Sequence, residues 1–343
     1  MNGDRTHAPA GLRCATLAVT VWLAFALFAP EAAWAQTDLG GQRVGTSSGE
    51  FLKIPFDARG AAMASATCAY VTGPAALFWN PAGLGLERRK AVLVSGIDYP
   101  AGIPMGAAVV SLPWGPLRGN IAFGLAAMSV SMDETDEFHP LGTGRDFTCS
   151  NWTITAGASR SFTDRLSFGL SVKAFHEALG TEVGGPTTTS WLLDAGAIYF
   201  VGFREARIGI ALTGFGPDLR PGGSFTSHRS GAEIRYTSFS PPTFFRFGAS
   251  VDPYTRGPWK TLASVEVGHP ADNQEVLRAG GEVSFQETLA VRAGYDFSAD
   301  ALKLHAGLGA RVRMGESLFH LDYAYSDGGY FGGIHRWTLR YIW

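Results

Sequence analysis

The sequence "RWTLRYIW" (Arg336–Trp343) alternates between two kinds of side chain. The first set is apolar and mostly aromatic: Trp337, Leu339, Tyr341 and Trp343. The second set contains both arginines: Arg336, Thr338, Arg340 and Ile342. A period of two residues is that of a β-strand, in which successive side chains point to opposite faces. The stretch therefore predicts a strand with one apolar face and one largely polar face.

The same alternation recurs upstream in "LRAGGEVSF" (277–285), "LAVRAGYDF" (289–297), "KLHAGLGARVR" (303–313) and "LFHLDYAYS" (318–326). Two environments suit such strands. In a soluble sandwich the apolar face is the core, whereas in a membrane barrel it faces lipid and the polar face lines the interior. Tyrosine and tryptophan near the strand ends, and a length of roughly ten residues, favour the membrane barrel.

The pattern predicts fourteen strands after residue 89, an even number that is usual in bacterial barrels. They lie near 90–99, 104–114, 119–131, 147–160, 165–177, 190–202, 205–215, 243–252, 259–269, 275–285, 287–297, 301–313, 316–326 and 334–343. Long connections such as Gly216–Pro242 mostly alternate with short ones such as "TDR" and "GE", as in barrels with long outer loops and short periplasmic turns. We therefore predict an all-β fold, a transmembrane antiparallel β-barrel of about 14 strands over residues 90–343. No run of roughly 18 apolar residues follows residue 35, which argues against a helical membrane protein.

Residues 1–35 have the features of a secretory signal peptide. Arg5 and Arg13 precede an apolar run, Leu17–Ala29, and "AWA" ends at Ala35. The run is short for a membrane anchor, which is the alternative. We therefore expect cleavage between Ala35 and Gln36, export, and localisation in a Gram-negative type of outer membrane, with its lipid as the surrounding solvent.

Residues 36–89 do not alternate. Gly60–Ala69 consists almost entirely of small residues, which permit close backbone packing. The sequence "NPAG" (80–83) is typical of a turn. We predict a hatch or plug segment inside the barrel; the alternative is a periplasmic tail or a first soluble subdomain.

The sequence "FLKIPFDARGAAMASATCAYVTGPAALFWNPAGL" (51–84) resembles the N-terminal segment of the PorV/PorQ family, outer-membrane barrels related in architecture to the FadL fatty-acid transporters. The hatch motif that carries the resemblance to both groups is Trp79, Asn80, Pro81, Ala82 and Gly83. Later stretches such as "LSFGLSVKAF" and "HLDYAYSDGGYFGGIHRWTL" resemble the family's strands in the family's order. The resemblance implies a barrel of about fourteen strands with an N-terminal hatch.

The resemblance implies two functions. The first is a non-enzymatic component or shuttle of type IX-like protein secretion, whose partners are secreted cargo or secretion-system components. The alternative is a FadL-like channel for uptake of hydrophobic small molecules. The alternating C-terminal residues Trp337, Leu339, Tyr341 and Trp343 also resemble the signal read by barrel-insertion machinery.

A candidate contact surface lies near the end of the Gly216–Pro242 connection. Its residues are Tyr236, Phe239, Phe244 and Phe245, which form an apolar outer-loop patch for a partner or ligand. Equally, some of these residues begin the next strand.

Charged and reactive residues give little sign of other chemistry. The net charge is −2, which does not favour nucleic-acid binding. We find no G-x-S-x-G, H-E-x-x-H or Walker A sequence, so we predict no enzyme, no cofactor and no metal site. Cys68 and Cys149 form a disulfide or remain two free thiols. The predicted lumen charges are of both signs, which indicates ion pairs across strands and to the hatch: Glu266, Arg278, Glu282, Arg292, Asp296, Lys303, Arg311, Arg313, Asp322, Arg336 and Arg340.

Overall fold

The computed structural model describes residues 45–135, 137–226 and 231–343. The predicted signal peptide, residues 1–35, and its cleavage site between Ala35 and Gln36 lie outside the described residues. Within the described ranges, no helix is both long enough and apolar enough to span a membrane.

The described residues form one large antiparallel sheet and a small hairpin. Three of the strands are short: Ser224–Thr226 (β8), Glu233–Arg235 (β9) and Thr255–Arg256 (β11). The fourteen longer strands are Ala91–Tyr99 (β1), Ile103–Trp114 (β2), Gly119–Asp133 (β3), Asp146–Ser161 (β4), Leu166–Leu179 (β5), Thr187–Phe200 (β6), Arg207–Phe215 (β7), Phe244–Val251 (β10), Trp259–Pro270 (β12), Val276–Phe285 (β13), Leu289–Asp296 (β14), Leu304–Met314 (β15), Ser317–Asp327 (β16) and Gly333–Ile342 (β17). Each pairs antiparallel with its neighbours, β10 joins β12, and β1 joins β17 from Ala91↔Ile342 to Asp98↔His335. The predicted 14-stranded barrel is confirmed, and it is closed.

Among the described residues, short helices are confined to the segment before β1 and to the loops. Two are α-helical turns, Ala58–Ala62 (α1) and Ala76–Trp79 (α2). The 3₁₀ turns are Glu50–Lys53, Gly73–Ala75, Pro81–Leu86, Pro100–Gly102, Gly115–Leu117, Thr181–Val183 and Gly329–Phe331. Asp57 caps α1, since its Oδ2 accepts a hydrogen bond of 2.8 Å from the backbone N–H of Gly60.

The two faces of the wall have reversed polarity relative to a soluble protein. On β17, Trp337 and Leu339 are 50% and 41% exposed, whereas Arg336 and Thr338 are 3% and 1% exposed. A soluble sandwich would bury the apolar set and leave the arginine in water. The exterior of this wall therefore matches hydrocarbon, and the sequence pattern is that of a membrane-spanning barrel.

Connections differ between the two ends of the barrel. One end carries the long loops 134–145 and 216–243, the second of which contains the β8–β9 hairpin. The other end carries turns such as 162–165, 286–288 and 315–316. Because membrane barrels place long loops on the cell surface, we call the long-loop end the outer end and the other the inner end.

Glycines line the inner wall where the chain before β1 approaches it. Gly280 of β13 lies opposite Gly294 of β14, and a Cβ at either position would collide with the backbone of Met63 or Ala64. Gly169 of β5 lies equally close to Pro81. The backbone of the N-terminal chain is also met at Gly209, and its side-chain atoms are met at Gly124, Gly157, Gly196, Gly248 and Gly307. Absence of side chains thus allows backbone-to-backbone packing inside the barrel.

Candidate functional site

Residues 45–89, which we call the N-terminal segment, run along the lumen from its outer to its inner end. Near the outer end, Phe51 belongs to the same buried cluster as Leu219 of the long loop. Near the inner end, Asn120 at the start of β3 donates a hydrogen bond of 2.6 Å from Nδ2 to the backbone oxygen of Glu87. The interior of the barrel is therefore built from contacts between this segment and lumen-facing side chains.

The outer half of the lumen contains an apolar cluster, which we call the outer apolar cluster. Its buried members are Phe51, Phe56, Ile97, Met105, Ala107, Ala126, Phe175, Leu192, Leu219 and Ile334. The Phe51 and Phe56 rings are 5.5 Å apart at their centroids and meet edge to face. The wall contributes apolar side chains here from strands β1, β2, β3, β5, β6 and β17. This corrects the expectation of a polar inner face, because these strands also point apolar side chains into the lumen.

Ionic contacts fasten the outer end of the N-terminal segment to the loop after β12. Lys53 Nζ lies 2.5 Å from Asp272 Oδ2 and 2.9 Å from Glu50 Oε2. Ser47 also donates to Asp272, and Ser48 donates to Glu177 at 3.1 Å. Burial acts to raise the pKa of Asp272, but the hydrogen bonds from Lys53 and Ser47 prevail and lower it below its ordinary value.

Asn80 of the motif joins the N-terminal segment to the wall in the middle of the lumen. Its side chain is fully buried, and Nδ2 donates to the backbone oxygens of Cys68 at 2.8 Å and of Ala197 and Ile210 at 3.3 Å. Oδ1 accepts from the Ala82 N–H at 3.1 Å and so caps the turn that follows. One amide thus satisfies carbonyls of the segment, of β6 and of β7.

The other motif residues fill the space around Asn80. Trp79 is 3% exposed and lies under the Arg246 guanidinium, whose carbon is 5.4 Å from the ring centroid. Pro81 and Ala82 press on Gly169, and a Cβ on Gly83 would strike the backbone oxygen of Val71. All five predicted motif residues are brought together, and in this structure they act as an anchor of the segment.

Cys68 is buried beside this anchor as a free thiol, and burial raises its pKa. The backbone N–H groups of Thr67 and Cys68 donate to Glu266 Oε2 at 3.0 and 2.9 Å, while Arg246 contacts Oε1 at 2.9 Å. Cys149, on β4, is also free. Of the two alternatives for the cysteines, the structure therefore shows unpaired thiols.

The inner half of the lumen contains the inner ionic cluster, which consists of Arg59, Glu282, Arg292 and Asp322. Glu282 accepts from Arg59 Nε and Nη2 at 2.8 and 2.9 Å and from Arg292 Nε at 2.5 Å. Arg292 Nη1 reaches Asp322 Oδ1 at 2.7 Å. The predicted ion pairs across strands and to the N-terminal segment are confirmed.

Two of the predicted lumen charges are exposed. Lys303 precedes β15, and Arg313 lies near the inner-end turn. Alternation fixes the face of a strand residue but not how far along the lumen it lies, so the lumen position of these two residues stays a prediction.

A polar cavity of about 300 Å³ adjoins the inner ionic cluster. Its lining includes Arg59, Tyr70, Glu282, His320 and Arg340 together with residues of the inner-end turns. Sequence alternation could place the strand residues on the inner face, but no sequence signal placed Tyr70 against them.

The four residues of the predicted outer-loop patch are separated. Tyr236 packs on Phe225 in the long loop, with ring centroids 5.4 Å apart, and Phe239 is partly exposed in the same loop. Phe244 and Phe245 belong to β10 and face opposite sides: Phe244 is buried under Arg246 at 4.1 Å, and Phe245 is 44% exposed on the exterior. For these two residues the alternative, the start of the next strand, is confirmed.

The C-terminal aromatic residues lie on the exterior of β17 and just after it. Trp337, Leu339 and Trp343 are exposed, and Tyr341 is half-buried and stacks on Trp343 with centroids 5.0 Å apart. The Trp343 N–H donates to the Lys90 oxygen at 3.0 Å across the seam of the barrel.

Comparison with known proteins gives matches to solved structures only. No protein-family model matches the chain, and no curated protein matches it. The toluene transporter TbuX of Ralstonia pickettii is similar with a TM-score of 0.54 and 14% identity, over 84% of this chain and 97% of that chain. The toluene transporter TodX of Pseudomonas putida gives a TM-score of 0.51 and 15% identity, over 82% and 95% of the two chains. A Pseudomonas aeruginosa FadL homologue gives 0.50 and 14%, over 84% and 98%. At these identities the likeness shows a FadL-like barrel fold.

Proposed function

We propose that this protein is an outer-membrane channel for the uptake of small hydrophobic molecules. The observation that carries the proposal is the outer apolar cluster, which lies inside a membrane barrel beneath its long loops. An apolar molecule loses little on leaving hydrocarbon or water for such a site, whereas a polar nutrient would lose hydrogen bonds there. The interior chemistry of the outer half therefore selects for apolar molecules.

The N-terminal segment acts in this proposal as the hatch of the channel. Phe51 and Phe56 are the residues of the segment that belong to the outer apolar cluster, so their side chains lie where an apolar ligand would bind. Asn80, Glu266 and Glu282 tie the rest of the segment to the wall. Transport then requires local displacement of residues near Phe51, followed by movement of the segment away from part of the wall.

Three solved structures support uptake in preference to secretion. Two are described as toluene transporters and the third as a FadL homologue. The secretion role implied by the PorV/PorQ resemblance rests on the sequence of the N-terminal segment, and we rank it second. The contacts of the motif residues Trp79–Gly83 with the wall support an anchoring role, which serves a hatch in either function.

Uptake is measured directly in cells that produce the protein and in matched cells that carry the empty vector. We expect faster accumulation of radiolabelled toluene or octanol in the producing cells and no change for a sugar of similar mass. Equal accumulation of the apolar molecules in both strains would contradict the proposal. Retention of a secreted reporter in a strain lacking the protein would instead favour the secretion role.

Movement of the segment is tested by locking it to the wall. A Cβ added at Gly248 of β10 would lie 3.2 Å from Cys68 Cβ, close to the separation of about 3.8 Å usual in disulfides. We expect the double variant Gly248→Cys, Cys149→Ser to show no uptake under oxidising conditions and to regain uptake after reduction of the disulfide. Gly248→Ser is the matched control without a second thiol. Full uptake by the oxidised protein would show that this part of the segment stays in place during transport.

A further inference from the structure

The polar cavity at the inner end has an excess of hydrogen-bond donors over acceptors. Six arginine or lysine side chains and five carboxylates line it. Each carboxylate has a cationic partner among the lining residues, as in Glu287 with Arg311 at 3.0 Å and Asp252 with Lys260 at 3.0 Å. Arg340 is the lining cation for which no carboxylate of the described residues serves as ion-pair partner.

Arg340 determines the tautomer of its neighbour on β16. The guanidinium Nη2 lies 3.0 Å from His320 Nδ1, and an arginine can only donate. His320 Nδ1 is then the acceptor, and the ring proton is on Nε2. His320 is 7% exposed, and its Nε2 has no hydrogen-bond partner among the described residues. His320 is thus one of the residues around the cavity, and its Nε2–H is a buried donor without a partner beside the Arg340 guanidinium.

Tyr70 adds a third donor from the N-terminal segment. It is 5% exposed, its hydroxyl has no hydrogen-bond partner within the described ranges, and it lines the same cavity. Tyr70 and Arg340 also share the lining of a second, smaller cavity, which places the two side chains close together. Unsatisfied buried donors are costly unless something accepts from them.

The acidic groups near Arg340 do not cancel its charge. Asp322 already pairs with Arg292, and Glu87 makes no ion pair within the described part of the chain. Burial and the nearby Asp322 raise the pKa of Asp57, whose Oδ2 is also engaged by the Gly60 N–H. Arg340 therefore has no ion-pair partner among the described residues, although Asp57, Asp322 and Glu87 lie near it.

We propose that this cavity binds a small carboxylate anion, held by the Arg340 guanidinium, with His320 Nε2–H and the Tyr70 hydroxyl, which have almost no accessible surface in this structure, turning toward it as the accompanying donors. A carboxylate suits the planar fork of an arginine and offers lone pairs to two further donors. A volume of about 300 Å³ admits such a group with its water. The carboxylate is either a free small anion that enters from the inner end or the head group of an amphiphile in the lumen.

Calorimetric titration of the purified full chain in an uncharged detergent tests the site. At constant ionic strength we expect acetate to bind and acetamide, its neutral isostere, to show no binding. Arg340→Gln should weaken acetate binding about tenfold or more, and Tyr70→Phe by several-fold. Arg311→Gln is the control, because Arg311 lines the same cavity but already pairs with Glu287. Equal binding of acetate and acetamide, or unchanged acetate binding in both site variants, would overturn the proposal.

Further measurements cover folding and the source of the carboxylate. Heat-modifiable gel mobility reports whether each variant is folded. If Arg340→Gln does not fold, acetate binding by Tyr70→Phe and Arg340→Lys tests the site instead. If octanoate binds much more tightly than acetate, and its binding depends on Arg340 whereas that of octanol does not, the carboxylate is the head group of an amphiphile. If octanoate and acetate bind with equal affinity, the ligand is a free small anion. The carboxylate site and the proposed uptake can fail separately. If the protein binds acetate but does not increase toluene uptake, only the channel function is rejected.

Discussion

At its outer end the lumen is filled by contacts between aromatic and aliphatic side chains, whereas its inner half is held by ion pairs between arginines and carboxylates. Apolar contacts are non-directional, so an apolar guest can replace Phe51 without leaving a polar group unpaired. The ion pairs around Glu282 are directional, and loss of one partner leaves a buried charge unpaired. The N-terminal segment is therefore expected to yield first at its outer end, before the part held by ion pairs moves.

The largest change in stability is expected at the inner ionic cluster. Glu282→Ala leaves Arg59 and Arg292 without their shared carboxylate, and we expect the free energy of unfolding to fall by about 3–5 kcal/mol. Urea unfolding of the protein in detergent micelles measures it. The control is Glu287→Ala, whose pair with Arg311 is largely exposed and should contribute about 1 kcal/mol or less. Similar losses for both variants would break the contrast between the two halves.

A smaller loss of stability, coupled to a gain in binding, is expected at the outer apolar cluster. Phe51→Ala removes a buried ring, and we expect a loss of about 3 kcal/mol. The space it leaves should also bind toluene or octanol more tightly, and the bound molecule should restore part of the lost stability. Thermal unfolding with and without toluene measures both effects.

The matched control for Phe51 is Phe245→Ala, since Phe245 faces outward from β10. That variant should show no toluene-dependent gain in stability. If both variants respond alike to toluene, the outer apolar cluster is not the place where apolar ligands bind.

The smallest effect is expected at the contact between Lys53 and Asp272, where the apolar half is fastened by ions. The pKa of Asp272 is lowered in the folded state, so its stabilisation is present above the ordinary pKa of 3.8 and is lost as the pH falls through the folded pKa. Asp272→Asn should therefore cost about 1 kcal/mol at neutral pH and nothing at strongly acidic pH. The unfolding free energies of both proteins should begin to approach each other below the ordinary pKa of 3.8 and meet at strongly acidic pH; curves that stay parallel would assign the loss to packing.

Alternation allowed most of the wall to be predicted, because the face of a strand residue is set by its two covalent neighbours. Trp337 and Arg336 are examples, one outward and one inward as expected. The same rule gave no indication that Lys303 and Arg313, which lie at or beyond a strand end, are exposed. It also missed Ile97 and Met105, which are lumen-facing and apolar, since polarity of the inner face depends on what it touches.

The candidate site was predicted less completely than the wall. The motif Trp79–Gly83 was recognised as a unit, but its partners Ala197 and Ile210 lie more than a hundred residues away. Tyr70 and His320 gave no signal of their own, because their role depends on being brought to one cavity. Phe244 and Phe245 were grouped by their adjacency in sequence, yet the pleat of β10 separates them.

The sequence alone determined that strands form, which face of each is apolar and that the chain closes into a barrel, since these follow from local period and segment count. Only the tertiary structure decided the height at which each part of the N-terminal segment lies in the lumen. That height follows from long-range fit, such as Met63 against Gly280 and Arg59 against Glu282, and the segment's own residues do not encode their partners. The division of the lumen into an apolar outer half and an ionic inner half is a consequence of that fit.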